Sequence, residues 1–181
     1  MHGTIFSELQ KFVSARLGDD AWDRLKVRAG IDPERQYEVF QSYPDEEVGA
    51  LVQAASETTG IPAPALLEAF GEFIAPDLLE MYWGAIEPEW RTLDVIEHTE
   101  ATIHSVVRLD HKTATPPYLH ARRTSENEVE VVYTSPRRLC AVARGISRGI
   151  AKHFQETVDV QDRKCMHRGD SECVLVITRS A

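Results

Sequence analysis

A chain of 181 residues that is 43% hydrophobic has the length for one domain with a core large enough to enclose a cofactor. Its net charge of −9 argues against nucleic acid as a partner, since binders of a phosphate backbone carry clustered basic surface and the pairs Arg122-Arg123 and Arg137-Arg138 are too short to supply one. No basic region followed by an apolar run opens the chain and no stretch of about 18 apolar residues occurs, so the expectation is a cytoplasmic protein with no membrane partner, whose cysteines are thiols or metal ligands rather than disulfides.

Residues 2–18 are predicted to form a first helix, because Ile5, Leu9, Phe12, Val13 and Leu17 follow the helical period and Gly18 ends it. A second helix is expected from Asp19-Asp20 to Gly30, with acids favourable at its start. Pro33 and Pro44 bracket a connector, and a third helix runs from Asp45 to Thr59 on a stripe of Val48, Leu51, Val52 and Ala55. Pro62 and Pro64 start a fourth with Leu66, Leu67, Phe70 and Ile74 inward, which Pro76 is expected to interrupt, leaving residues 76–84 as a separate short helix. A long helix carrying His104 begins near Pro88, and the prolines at 116 and 117 exclude helix from Asp110 to Pro117. Residues 118–123 and 129–135 read as a hairpin turned at 124–127, residues 138–154 as a final helix, and 157–160 and 173–178 as two further strands. The fold class is α+β in a single domain over 1–181, with a helical part over about 1–60 and a part of antiparallel sheet with helices over 61–181.

At about 100° per residue, Leu93, Ile96, Ile103 and Val107 share one arc, with His104 at its edge and His98 almost half a turn away. An inward imidazole needs a hydrogen-bond partner, a substrate proton or a metal. Glu100, one turn earlier on the same side, is the plain hydrogen-bonding candidate, while His98, His111, His120 and His153 are expected to be solvated or structural. Tyr133, Ser135 and Arg137 alternate along a strand and so project from one face, where two hydroxyls beside a guanidinium form a clasp for a carboxylate. The bland alternative is an amphipathic edge strand with a charged end. An apolar cavity with an imidazole on one side and a carboxylate clasp on another describes a heme site.

These residues resemble the motifs of the heme nitric oxide/oxygen binding (H-NOX) family, which includes the heme domain of soluble guanylate cyclase. The match consists of Tyr-x-Ser-x-Arg at Tyr133, Ser135 and Arg137, His104 on the helix before it, and Pro116-Pro117 between them. The opening Met1-His2-Gly3-Thr4-Ile5-Phe6, the stretch Ala69-Phe70-Gly71-Glu72-Phe73 and the acidic-aliphatic run from Pro44 to Ala54 extend it over essentially the whole chain. The resemblance implies heme b between the two parts, His104 as proximal iron ligand, Tyr133, Ser135 and Arg137 on the propionates, and Pro117 and Ile5 packed against the porphyrin. Family members that bind oxygen stably carry a tyrosine on the helix after the strand motif; by register that position is Val142, and the companion polar positions fall on Leu9 and Ile74. Bound dioxygen gains from a donor whereas nitric oxide on ferrous heme needs none, so losing a charge-assisted bond of about 1.5–3 kcal/mol weakens oxygen roughly 10–150-fold. The implied protein is a non-enzymatic sensor of nitric oxide, able also to take CO, that relays to a separate histidine kinase or cyclic-di-GMP signalling enzyme.

Cys140, Cys165 and Cys173, with Asp162 and His167 nearby in sequence, resemble a zinc site of three cysteines and one histidine found in some bacterial H-NOX proteins. Asp162 stands where the histidine should be, leaving Asp162 or His167 as the fourth ligand of a possible Zn2+. Three ordinary thiols are the plain alternative. The same cysteines support a second reading, a zinc/thiol redox sensor on the same fold. A third, a heme peroxidase, would want a polar acid–base residue on the gas side, where the residues placed are apolar.

Overall fold

The computed structural model describes residues 1–110 and 114–180; His111, expected to be solvated or structural, lies outside them. Its first half is helical: α1 (Gly3–Leu17), α2 (Ala21–Arg28), α3 (Asp45–Thr59) and α4 (Ala63–Met81). After a short turn at Trp83–Ala85 come α5 (Thr92–His98), a wide turn over Glu100–His104 and α6 (Ser105–Asp110). The strands β1 (Tyr118–Ser125) and β2 (Glu128–Thr134), the helix α7 (Cys140–His153), and the strands β3 (Val158–Lys164) and β4 (Cys173–Arg179) complete the chain. The sheet is antiparallel throughout, in the order β1-β2-β4-β3. The architecture is the α+β one expected from the sequence.

Pro76 does not interrupt the fourth helix. α4 runs through it to Met81, and the separate helix expected over 76–84 is absent from the described residues. An internal proline removes one backbone hydrogen bond and costs about 3 kcal/mol, so packing must offset that loss for α4 to continue through Pro76. The amide that Pro76 lacks would have bonded the carbonyl of Glu72. That carbonyl lies against Gly149 of α7, so close that a Cβ on residue 149 would stand 2.7 Å from its oxygen. Backbone also meets backbone at two further glycines of this contact. A Cβ on Gly145 would fall 1.9 Å from the Glu68 carbonyl oxygen, and one on Gly71 would fall 2.2 Å from that of Val142. The side chains of α4 serve both cores: Phe70 and Ile74 pack with Phe6, Leu9, Phe12 and Leu51, while Ala75 and Leu79 pack with Val95, Val129, Leu175 and Ile177 of the sheet side.

The helix bearing His104 starts at Thr92 rather than near Pro88, where the carboxylate of Asp94 caps the Arg91 amide at 2.9 Å. It is not a uniform α-helix. The His104 amide reaches the Thr99 carbonyl, five residues back, at 2.9 Å. One extra residue is thereby held in the turn, and everything after it is rotated relative to the simple arc drawn from sequence; wide turns of this kind are frequent at functional sites.

The α4–α7 contact yields a paired prediction for urea unfolding. Gly145→Ala drives a methyl into backbone and should cost roughly 3 kcal/mol, at the upper end for overpacking. Gly49→Ala, on an exposed face of α3 with nothing within 4 Å, should instead stabilise by about 0.5–1 kcal/mol.

Candidate functional site

Between the helical half and the sheet lies a cavity of about 290 Å³ with a largely apolar lining. Distant parts of the chain meet there, among them α1 through Ile5, α4 through Ile74, the His104 segment through Ile103 and Val107, and α7 through Val142 and Ile146. Pro117 lines it from the connector before β1, and Tyr133, Ser135 and Arg137 line it from β2 and the turn that follows. The structure thus brings together all the residues named for the cavity except one. Leu9 is 5% exposed but packs into the N-terminal helical core with Phe6 and Phe12 instead of lining the cavity, because the α1 stripe is wide enough to place Ile5 and Leu9 against different neighbours.

His104 enters this cavity with its imidazole only 14% exposed. Nδ1 meets Oε2 of Glu100 at 2.9 Å, so the carboxylate accepts the Nδ1 proton and Nε2 is the nitrogen that could ligate a metal. Glu100 is itself tied down: the Leu119 amide donates to Oε2 at 3.1 Å and Arg108 Nη1 lies 2.8 Å from Oε1. Burial pushes the Glu100 carboxyl up, but the bonds from His104, Arg108 and the Leu119 amide outweigh it and hold the group below the usual carboxylate range. Burial likewise pulls His104 below the ordinary imidazole value against the opposing Glu100 bond, which keeps the ring neutral and able to ligate. His98, by contrast, stacks on Trp90 at 4.6 Å and bonds the Asp94 carbonyl at 2.8 Å, a structural role.

Elsewhere on the cavity lining, Tyr133 and Ser135 are buried, and burial pushes the Tyr133 phenol up so that it remains a neutral donor, with the Ser135 hydroxyl opposing the shift. Arg137 holds Asp45 Oδ1 through Nε at 2.9 Å and the Thr115 carbonyl through Nη1 at 2.6 Å, and its Nη2 bonds the Thr115 hydroxyl. A guanidinium has five N–H groups. Three of them are taken up by Asp45 and Thr115, and the Thr115 carbonyl and hydroxyl occupy the parallel Nη1/Nη2 edge, so a forked bond to a ligand carboxylate would replace the Thr115 contact at that edge.

A model of the Haem-NO-binding family matches residues 2–162. The chain belongs to that family. The H-NOX protein of S. oneidensis in its Fe(II)NO state superposes with a TM-score of 0.93 at 27% identity, covering 100% of both chains, and the Shewanella oneidensis H-NOX domain in its Fe(II)CO state does so at 0.88 and 27%, covering 99% of each. The soluble guanylate cyclase gcy-35 of Caenorhabditis elegans is 25% identical over 177 residues, 92% of this chain but only 25% of the cyclase. H-NOX domains are heme-based gas sensors, and the fit of the cavity to that group rests on this chain's own atoms: a buried neutral imidazole with one nitrogen already held, an apolar lining and a carboxylate clasp at the rim.

Sequence reasoning missed several polar lining groups in this H-NOX chain. Thr99 and Ser147 line the cavity, yet their hydroxyls donate back to the Val95 and Ala143 carbonyls at 2.7 and 2.9 Å. Tyr82, at the end of α4, also lines it; a helix continued through Pro76 is what carries it there.

The cysteines form a second constellation. The sulfurs of Cys140, Cys165 and Cys173 lie within 4.8 Å of one another and are buried. Neither expected fourth ligand joins them. Asp162 bonds Arg144 at 2.8 Å through Oδ2, and His167 Nε2 bonds the Arg138 carbonyl at 2.7 Å on the surface. Burial, and then the neighbouring Cys173 thiol, push the Cys140 thiol up to about 12, and burial raises Cys173 as well. These are protonated, shielded thiols, so folded zinc-free protein at pH 8 should take up no iodoacetamide at Cys140 or Cys173, whereas urea-unfolded protein should be alkylated at all three cysteines by mass spectrometry.

Proposed function

We propose that this H-NOX domain carries heme b held through Nε2 of His104 and senses nitric oxide in the ferrous state, with little affinity for oxygen. The observation that carries the reading is His104 itself, a mostly buried imidazole whose Nδ1 is satisfied by Glu100 and whose ring faces an apolar cavity. Bound heme supplies an iron with an open position for a diatomic gas. Tyr133, Ser135 and Arg137 orient its propionates, Pro117 and Ile5 pack on the ring, and Ile74 and Val142 offer no donor to a bound gas. With heme bound, His104 is the residue through which a change at the iron would reach the chain. Through Glu100 it is linked to Arg108 in α6 and Leu119 in β1, so a change at the ring moves helix and strand together, as a two-state switch requires.

In this reading the domain catalyses nothing itself and works in the cytoplasm, relaying to a separate histidine kinase or cyclic-di-GMP signalling enzyme. Nitric oxide and CO are the gases held by the Shewanella relatives, which supports the same ligands here.

The test is a set of absorption spectra. Ferrous protein should take up nitric oxide stoichiometrically and form no stable oxy complex in air. Val142→Tyr, which adds a donor at the cavity wall, should tighten oxygen binding by roughly 10–150-fold. A stable oxy spectrum in the unmodified protein would overturn the oxygen-excluding part of the proposal, and its loss in Tyr82→Phe would then locate the donor.

A second reading is favoured by the cysteine trio: zinc bound by Cys140, Cys165 and Cys173, with Asp162 or His167 moving in as the fourth ligand, and thiol oxidation as the signal. One zinc per chain, measured on protein purified with reduced thiols, supports the site, and no zinc ends it. Serine substitution of the cysteines should leave the nitric oxide response intact if iron is the sensor and abolish signalling if the thiols are.

A further inference from the structure

We propose that Glu100 is a positioning residue for His104: its carboxylate fixes the ring's tautomer and plane and makes Nε2 a stronger donor to iron than a histidine bonded to a neutral acceptor would be. The inference deepens the heme reading above and rests on it. Three segments lock Glu100 in place, through the His104 ring at 2.9 Å, the Leu119 amide of β1 at 3.1 Å and Arg108 of α6 at 2.8 Å. A carboxylate in this position, accepting from the ligand's far nitrogen, raises the basicity of the nitrogen that faces the metal, and removing such an outer partner typically changes metal binding 10–100-fold.

Arg108 sets the size of the effect. Its guanidinium shares the Glu100 charge, and it is held over the Tyr118 ring, 4.9 Å from the centroid, with Nη2 within 3.4 Å of the Pro117 carbonyl. Glu100 and Arg108 therefore act on His104 with opposite sign. A stronger donor favours ferric over ferrous iron, so loss of the Glu100 charge should raise the midpoint potential and loss of the Arg108 charge should lower it.

The experiment uses the full heme-loaded chain. In Glu100→Gln, which keeps an acceptor oxygen but no charge, the iron–histidine stretch in the ferrous resonance Raman spectrum should fall. The midpoint potential should rise by a tenfold shift in the ferric-to-ferrous balance, 59 mV for one electron. Arg108→Met should move both readouts the other way, a pattern that lost packing alone would not produce. Should Glu100→Gln fail to fold or to hold heme, His104→Gly supplied with imidazole or with 1-methylimidazole asks the same question, because only the first has an N–H for Glu100. The methylated ligand should give the lower stretch and the higher potential. Unchanged stretch and potential in Glu100→Gln, or no difference between the two imidazoles, would overturn the proposal. An iron–histidine line that persists in His104→Gly with no imidazole added is a distinct result: it would show that the heme reading itself had failed.

Discussion

A neutral imidazole taken out of water has two nitrogens to satisfy, and in this fold Glu100 holds one of them, Nδ1 of His104, at 2.9 Å. The Glu100–His104 bond therefore sets which nitrogen is left for the cavity. It spends Nδ1, turns Nε2 toward an apolar space, and does so from a wide turn that an uninterrupted α-helix would not contain. The same carboxylate accepts from β1 and pairs with α6, so the His104 ring, the strand and the helix after it form one mechanical unit.

The rest of the architecture keeps that unit and the opposite rim in register. α4 and α7 meet backbone to backbone, and because α4 serves both cores it fixes the distance between the helical half and the sheet. Across the cavity's edge, Arg137 reaches Asp45 at the start of α3, while the same carboxylate oxygen takes the ammonium of Met1 at 2.5 Å. The Asp45 carboxyl, raised by burial, is held below its usual range by Arg137 and the chain terminus. The arginine that fits a carboxylate ligand is thus also a tie between the halves. Tyr133 pairs with Leu119 on one side and Cys173 on the other, so the thiol cluster packs directly beneath a cavity-lining residue.

Much of this was legible in the chain because it depends on period. The helical stripes of α1, α3 and α7 and the β1–β2 hairpin each follow from one repeating geometry, and the family motif pointed to His104; the alternation expected at Tyr133, Ser135 and Arg137 is not kept, because β2 ends at Thr134 and Ser135 and Arg137 reach the cavity from the turn after it. What was not legible depends on contacts between distant segments. Pro76 reads as a break until Gly149 is seen to receive the carbonyl it frees. The wide turn before His104 leaves no mark in a hydrophobic pattern. Leu9 shares a stripe with Ile5, and only the packing of α1 against α2, α3 and α4 separates core from cavity. Asp162 and His167 stand near the cysteines in sequence, but Arg144 and the Arg138 carbonyl have prior claims on them. Asp45, the partner of Arg137, lies 92 residues away and no local pattern points to it.

The most direct measurement is the absorption spectrum of His104→Ala, loaded with heme, reduced without air and with no imidazole added. If Nε2 of His104 holds the iron, the variant should lose the ferrous band of the unmodified protein, retain heme only weakly and respond differently to gas. A ferrous band, heme occupancy and nitric oxide response identical to those of the unmodified protein would contradict the account.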